Sequence, residues 1–318
     1  MSKEIRILDH LVKPGDSVHL KMDIARLNTR SKIEVPIIVE RAKKDGPCLL
    51  LMGGIHGDEI NGIEIVRQIV AQKINKPDSG TVICIPLLNV FGFLNQMRAF
   101  PDGRDLNRVF PGSAKGSLAS RFAFHVMKEV IPNVDYCIDY HTGGAQRFNY
   151  AHIRVDNSDQ ESLKLAKAFG TRFIVLAKNR EKSFRDSMVK LGKKVLLFEG
   201  GKSLYLDKTV TKIGAQGAIN IMHALGMRDF SADINLRRRP IIIESSTWIR
   251  ARHSGMYRST VQAGQKVEKG AILGSISDPF GGFEKSFKNQ KAGYILNCNQ
   301  SPIVNQGDAL VHIGFKTI

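Results

Sequence analysis

His56 and Glu59 stand three residues apart in Gly53-Gly54-Ile55-His56-Gly57-Asp58-Glu59, a spacing that lets an imidazole and a carboxylate reach one metal ion. The fragment follows an apolar run, Cys48-Leu49-Leu50-Leu51-Met52, and precedes a helix-like stretch. It therefore reads as a strand-to-helix turn in which glycine permits a tight backbone path. A third candidate ligand, His141, lies in Asp139-Tyr140-His141-Thr142-Gly143-Gly144, again at the end of an apolar run. Two histidines and one glutamate form a catalytic zinc set, one Zn2+ per chain, with a fourth position open to water.

Residues between these ligands carry complementary chemistry. Arg98 can face an oxygen that becomes negative during a reaction. Asn107 and Arg108 offer an amide and a planar guanidinium, which together can grip a carboxylate. Glu199 ends the apolar run Leu197-Phe198-Glu199-Gly200-Gly201, where a carboxylate can take a proton from water and pass it to a leaving amine. Asp139 reads either as a group orienting a metal-binding histidine or as a side chain on the opposite strand face. Asp105 reads as a turn cap or a brace for an arginine, and Arg104 as structural. Asp58 reads as a turn residue complementing the helix dipole. His125, His152, His223, His253 and His312 lack metal spacing and read as ordinary surface or core residues.

These side chains need elements to hold them. Two alternating stretches, Ser17 to Met22 and Ile33 to Glu40, predict a short antiparallel pair at a sheet edge. From Cys48 to about Gly226, apolar runs alternate with amphipathic stretches. The predicted strands are Cys48–Met52, Val82–Leu88, Tyr136–Tyr140, Phe173–Leu176 and Val195–Phe198. The predicted helices are Ile60–Gln72, Ser117–Val130, Glu161–Phe169, Phe184–Leu191 and Ala215–Leu225. Interleaving of this kind implies an α/β fold with a mixed, mostly parallel sheet flanked by helices. Ligands of such sheets lie beyond the strand carboxyl ends, where His56, His141 and Glu199 all fall.

After Arg239 the texture becomes all-β. One pass runs from Ser254 to Gly274 and a second from Ala292 to Val311, which suggests a quasi-symmetric β-sandwich. That region resembles biotinyl/lipoyl-type domains, but Lys285 and Lys288 lack the setting of a modified lysine, so it reads as unmodified. The expected division is 1–235 for a catalytic domain and 236–318 for a β-domain, with Arg237-Arg238-Arg239 in a solvated linker.

Composition narrows the functional class. The chain has 318 residues, 42% hydrophobic and 24% charged, as expected of a soluble globular protein. No apolar stretch reaches the ~18 residues a bilayer span requires, and no signal-peptide pattern is visible. The net charge is +17, yet the cations are dispersed and no nucleic-acid motif accompanies them. A basic surface, or a field attracting anionic substrates, accounts for the charge. Cys48, Cys84, Cys137 and Cys298 form no C-x-x-C pair, which fits a reducing cytoplasm. Exposed edges of the N-terminal strands and β-domain leave room for a homo-oligomer.

Taken in chain order, His56-x-x-Glu59, Arg98, Asn107-Arg108, His141 and Glu199 resemble the zinc carboxypeptidase superfamily and, within it, the succinylglutamate desuccinylase/aspartoacylase family. The resemblance covers about residues 48–202, and the appended β-domain is typical of the family. It implies that His56, Glu59 and His141 hold zinc. It also implies that Arg98 stabilises the oxyanion, that Asn107 and Arg108 bind the amino-acid carboxylate, and that Glu199 is general base and then acid. The family's C-terminal domain can contribute a tyrosine near the site, for which Tyr257 is one candidate. The expected activity is hydrolysis of a small anionic N-acyl amino acid or N-acyl diamino acid to a carboxylate and a free amine. The same residues would also serve a metallocarboxypeptidase acting on peptides or peptide-like cross-links. A carrier module built on the β-domain is a third reading, which the intact zinc set disfavours. The chain contains no G-x-S-x-G, P-loop or H-E-x-x-H motif.

Overall fold

Apolar residues on both sides of one strand require cover on both faces, and the inner strands of this protein are built that way. In the computed structural model, which describes residues 4–26, 30, 32–234 and 239–316, Leu49 and Leu51 pack to one side of the sheet while Cys48, Leu50 and Met52 pack to the other. The N-terminal strands are β1 (Ile5–Ile7), β2 (His10–Val12), β3 (Ser17–Arg26), β4 (Lys32–Arg41), β5 (Lys44–Gly53) and β6 (Ser79–Ile85). They are followed by β7 (Tyr136–Gly143), β8 (Arg147–Val155), β9 (Phe173–Leu176) and β10 (Lys194–Lys202). Strands β6, β5, β7 and β10 are parallel neighbours in that order. Antiparallel strands extend this core, β4 and then β3 beyond β6 on one side, and β8 beyond β10 on the other. The edge pair expected near the N-terminus is thus β3 and β4.

Among the described residues, α-helices cover both faces of the sheet. α1 (Ile60–Ala71), α4 (Gln160–Phe169) and α6 (Lys208–Ala224) bury Ile65, Leu165 and Ala218 in one core. α3 (Leu118–Glu129), α5 (Phe184–Lys190) and the β1–β2 hairpin bury Phe122, Met188 and Ile7 in the other. The short α2 (Val90–Leu94) follows β6. Capping side chains mark the starts: Ser117, Asp159, Ser183 and Asp207 each accept a hydrogen bond from a backbone N–H in the first turn. Asp207 accounts for one departure from expectation. It accepts from Thr209 and Val210, each at 2.9 Å, so the helix expected from Ala215 begins at Lys208. Strand β8 is a second departure, because no strand was expected there. Among the described residues, no helix is long and apolar enough to cross a membrane.

The C-terminal strands are β11 (Ile241–Ile243), β12 (Ser245–Arg250), β13 (Gly255–Ser259), β14 (Lys266–Val267), β15 (Ile272–Ser277), β16 (Glu284–Lys288), β17 (Gly293–Asn299), β18 (Ile303–Val304) and β19 (Ala309–Phe315). The two passes read in the sequence exchange strands reciprocally. β14 of the first pairs with β17 of the second, and β18 of the second pairs with β13 of the first. This unit is also stitched into the α/β sheet, since β17 pairs with β8 and β11 with β9. Arg237 and Arg238, and the expected boundary at 235/236, lie outside the described residues.

The turn carrying His56 depends on two glycines. Gly54 has φ +66°, a left-handed conformation costly for other residues. A Cβ at Gly57 would run into the backbone of Gly92 and Phe93, which underlie the loop. Gly57→Ala is therefore expected to cost about 1–3 kcal/mol, the usual range for overpacking. Urea denaturation followed by far-UV circular dichroism checks this; an unchanged midpoint would show that the helix beneath the loop yields without strain.

Candidate metal centre and its cavity

Glu59 occupies the N-cap position of α1, where a side chain ordinarily bonds its own helix, yet it makes no such cap. Its carboxylate instead turns between the ends of β5 and β7. Glu59 Oε1 lies 2.8 Å from His56 Nδ1, and Glu59 Oε2 lies 2.9 Å from His141 Nδ1. The backbone N–H of Thr142 donates to Oε2 at 3.2 Å, and Arg98 Nη1 donates to Oε1 at 3.0 Å. Ligand atoms of His56, Glu59 and His141 all fall within 4.8 Å of one another, and all three residues are buried.

The outer nitrogen of each histidine faces a carboxylate. His56 Nε2 is 3.0 Å from Asp105 Oδ1, and His141 Nε2 is 2.9 Å from Asp139 Oδ2. Such partners fix the tautomer and leave both Nδ1 lone pairs facing inward, the arrangement a metal-binding histidine needs. Two imidazoles and one carboxylate, braced in this way, fit a zinc ion by donor chemistry and by spacing. Of the two readings of Asp139, the observed one has it orienting His141. Asp105 fulfils both of its expectations and adds a third contact. It accepts from the backbone of Asn107 at 2.9 Å, accepts from Arg98 Nε and Nη2, and supports His56. Burial works against its charge, but the His56 hydrogen bond and the Arg98 charge outweigh it and hold the carboxyl below its ordinary range. Arg104 is exposed and pairs with Asp102, away from this cluster.

All seven expected site residues line one cavity of about 260 Å3. Asn107 Oδ1 accepts from the backbone of Phe184 at 2.8 Å, which leaves its amide hydrogens as donors. The Arg108 guanidinium is tied to the Asn107 carbonyl, with Asp105 at 3.9 Å. Glu199 lies beside His141 across the β10–β7 register. Burial pushes the Glu199 carboxyl above its ordinary range, against the pull of Arg154 and His141. Its Oε2 accepts from Asn149 Nδ2 at 2.8 Å.

A second part of the cavity wall was not read from the sequence. It consists of Asn149, His152 and Arg154 from β8, together with Trp248, Asn297 and His312 from β12, β17 and β19. His152 and His312 are thus cavity-wall residues, a correction to their reading as ordinary surface or core positions. Burial, with Arg154 nearby, pulls both imidazoles down to about 3, so they are neutral. His312 stacks on Trp248 with ring centroids 4.5 Å apart. Tyr257 lies elsewhere, lining a separate cavity with Phe148 and Cys298. A β-bulge explains how β8 serves the wall. Glu199 pairs with His152 but Gly201 pairs with Asn149, so β8 holds one extra residue there. The inserted residue turns Asn149 to the same side as His152 and Arg154.

A sequence model of the succinylglutamate desuccinylase/aspartoacylase catalytic domain matches residues 45–225. An N-alpha-acetyl-L-2,4-diaminobutyric acid deacetylase from Halomonas elongata is 26% identical over 299 residues, spanning 88% of this chain and 85% of its own. Among solved structures, a succinylglutamate desuccinylase/aspartoacylase from Rhodobacter sphaeroides superposes with TM-score 0.83 at 22% identity, covering 95% of this chain and 96% of the other. The product-bound ectoine utilization protein EutE (DoeB) from Ruegeria pomeroyi also gives 0.83, at 20% identity, covering 95% and 97%. At these identities the superpositions establish a shared fold.

Zinc titration by calorimetry is expected to show one site, abolished in His141→Ala. Asp139→Asn should weaken zinc about 10–100-fold, the usual loss when a carboxylate behind a ligating histidine is removed. Equal affinity in Asp139→Asn would show that His141 does not depend on that carboxylate.

Proposed function

This chain belongs to the succinylglutamate desuccinylase/aspartoacylase family, and on that premise we propose that it is a zinc-dependent deacylase. It hydrolyses the amide of a small N-acyl amino acid to a carboxylate and a free amine. The carrying observation is the convergence of His56, Glu59 and His141 at one end of a cavity that also holds Arg98, Asn107, Arg108 and Glu199.

His56, Glu59 and His141 hold the ion. Zinc, when bound, supplies Lewis acidity, which lowers the pKa of water and polarises the scissile carbonyl. Asn107 and Arg108 grip the amino-acid carboxylate, the amide through its free hydrogens and the guanidinium as a charged donor. Arg98 offers N–H groups to the carbonyl oxygen as it gains negative charge. Glu199 removes the proton from the attacking water and delivers it to the nitrogen as the C–N bond breaks. A buried carboxyl with a raised pKa suits both halves of that task.

Charge favours an acidic substrate. Six arginines line the cavity (Arg98, Arg108, Arg147, Arg154, Arg180 and Arg185), facing Glu59 and Glu199. Counting Asp105 and Asp139 behind them, six cations stand against four carboxylates. Glu59 is committed to His56, His141 and Arg98, so it is not offered to an ammonium group. A substrate carrying a second carboxylate therefore suits this cavity, and N-acyl diamino acids, the class named for the 26% identical Halomonas elongata deacetylase, stay within the proposal. A volume of about 260 Å3 also favours a single acylated amino acid over a peptide. Four buried free cysteines are consistent with a cytoplasmic enzyme. Residues 1–235 are assigned to the catalytic part and 236–318 to the β-unit that closes its wall.

The test is amine release, followed by mass spectrometry, from zinc-loaded protein given N-acetyl, N-succinyl and N-formyl amino acids, diamino acids and short peptides. Release from acylated dicarboxylic amino acids is expected, with Glu199→Gln slowing kcat at least ~100-fold. Arg108→Ala should raise KM. Cleavage confined to peptides would move the assignment to a carboxypeptidase.

A further inference from the structure

The cavity contains an amide chain that joins the β-unit to Glu199. Asn297 Nδ2 donates to Asn149 Oδ1 at 2.6 Å, and Asn149 Nδ2 donates to Glu199 Oε2 at 2.8 Å. Asn297 and Asn149 are Cα partners across the β17–β8 ladder, and both are buried. Each reaches its place through a bulge. The β8 bulge turns Asn149 toward Glu199. On β17, Ile295 pairs with Ile313 but Asn297 pairs with His312, so the extra residue at Leu296 brings Asn297 to the cavity side. Two irregularities in different ladders thus converge on one carboxylate.

The direction of the chain follows from the chemistry of its end. A carboxylate can only accept, so Asn149 must present its NH2 to Glu199 and its oxygen to Asn297. Asn297 must then present its NH2 to that oxygen, which leaves Asn297 Oδ1 without a protein partner in the cavity wall. Reversing either amide would set oxygen against oxygen.

We propose that Asn297, acting through Asn149, is a positioning residue for Glu199: the chain reserves Oε2 as an acceptor and leaves Oε1 as the oxygen that takes and releases the proton. Oε1 pairs with Arg154 at 3.9 Å, beyond hydrogen-bond distance, and is available for proton transfer. In the reaction a proton passes from water to Oε1 and the water oxygen bonds to the carbonyl carbon. As the C–N bond breaks, the proton passes from Oε1 to the amine, and Glu199 is regenerated. Without the chain the carboxyl can rotate about its terminal torsion, and the two oxygens lose their separate duties. The β-unit then serves catalysis with a residue that acts through Asn149 rather than on the reacting atoms. This inference rests on the reading of Glu199 as the base.

The experiment is a double-mutant cycle on the full zinc-loaded chain, with amine release as the assay. Asn297→Leu keeps volume and removes the donor; Asn297→Ala is the second variant, should leucine prevent folding. Either is expected to lower kcat ~10–100-fold, part of what general-base catalysis supplies, with KM within about twofold of the wild type. In a Glu199→Gln background the same substitution should change kcat by less than about twofold, because the oxygen it positions is no longer a base. Wild-type kcat in Asn297→Ala, a loss confined to KM, or a full loss repeated in the Glu199→Gln background would each overturn the inference. If Glu199→Gln itself keeps the wild-type rate, or the wild type releases no amine, the functional reading fails and this inference with it. If Glu199→Gln is slow and the Asn297 variants are not, the positioning role alone fails.

Discussion

A carboxylate buried against two imidazoles and a guanidinium organises this protein. Glu59 is 2% exposed. A charge so removed from water is tolerated only when it is closely paired and fully hydrogen-bonded. His56, His141, Arg98 and the Thr142 amide provide those partners, and they come from three stretches of chain: the turn after β5 (His56), the end of β7 (His141 and Thr142), and the loop before Asn107 (Arg98). Satisfying Glu59 therefore requires that two strand ends and the loop after α2 arrive together. Asp105 and Asp139 repeat the logic one layer out, each compensating a buried histidine. The parallel order of β5, β7 and β10 is what brings these ends to the same edge of the sheet.

Much of this was legible in the sequence, for identifiable reasons. Buried parallel strands write themselves as uninterrupted apolar runs, so β9 was found at its observed limits, while β5 was found only from Cys48 and β7 only to Tyr140, the apolar parts of longer strands. Ligands at strand ends sit beside glycine-rich turns, which made His56, Glu59 and His141 conspicuous. Strand β8 was missed because its polar side faces the cavity rather than solvent. Arg147-Phe148-Asn149-Tyr150-Ala151-His152-Ile153-Arg154-Val155 alternates imperfectly, and the bulge breaks the two-residue period between Asn149 and His152. Trp248, Asn297 and His312 were invisible for another reason. Their place in the wall follows from pairing between strands more than 140 positions apart in the chain, as with Asn149 and Asn297, and no local pattern records that. The early start of α6 did leave a signal, since Asp207 is followed at once by the residues whose amides it caps.

Comparison of the two cavity walls separates what is shared from what is particular. The wall around His56, Glu59 and His141 includes all seven site residues that the family resemblance names. The β8 and β-unit wall supplies the neutral histidines, the Trp248–His312 stack and Arg154, none of which the resemblance names. An activity common to a family and a substrate peculiar to one member can reside in different parts of the same small space.

Strand β8 is bordered along one edge by two different strands laid end to end: β17 against Arg147 to Asn149, and β9 against His152 to Val155. The first of these arrives about 150 residues after β8 in the chain, as the Asn297–Asn149 pairing spans 148 positions. During synthesis the α/β layers can therefore gather early, N-terminal elements first. The near half of the β8 edge stays open until β17 has been made. An enzyme assembled in this order completes the wall of its cavity about 150 residues after β8, so a chain that stops before β17 carries His56, Glu59 and His141 but an unfinished chamber around them.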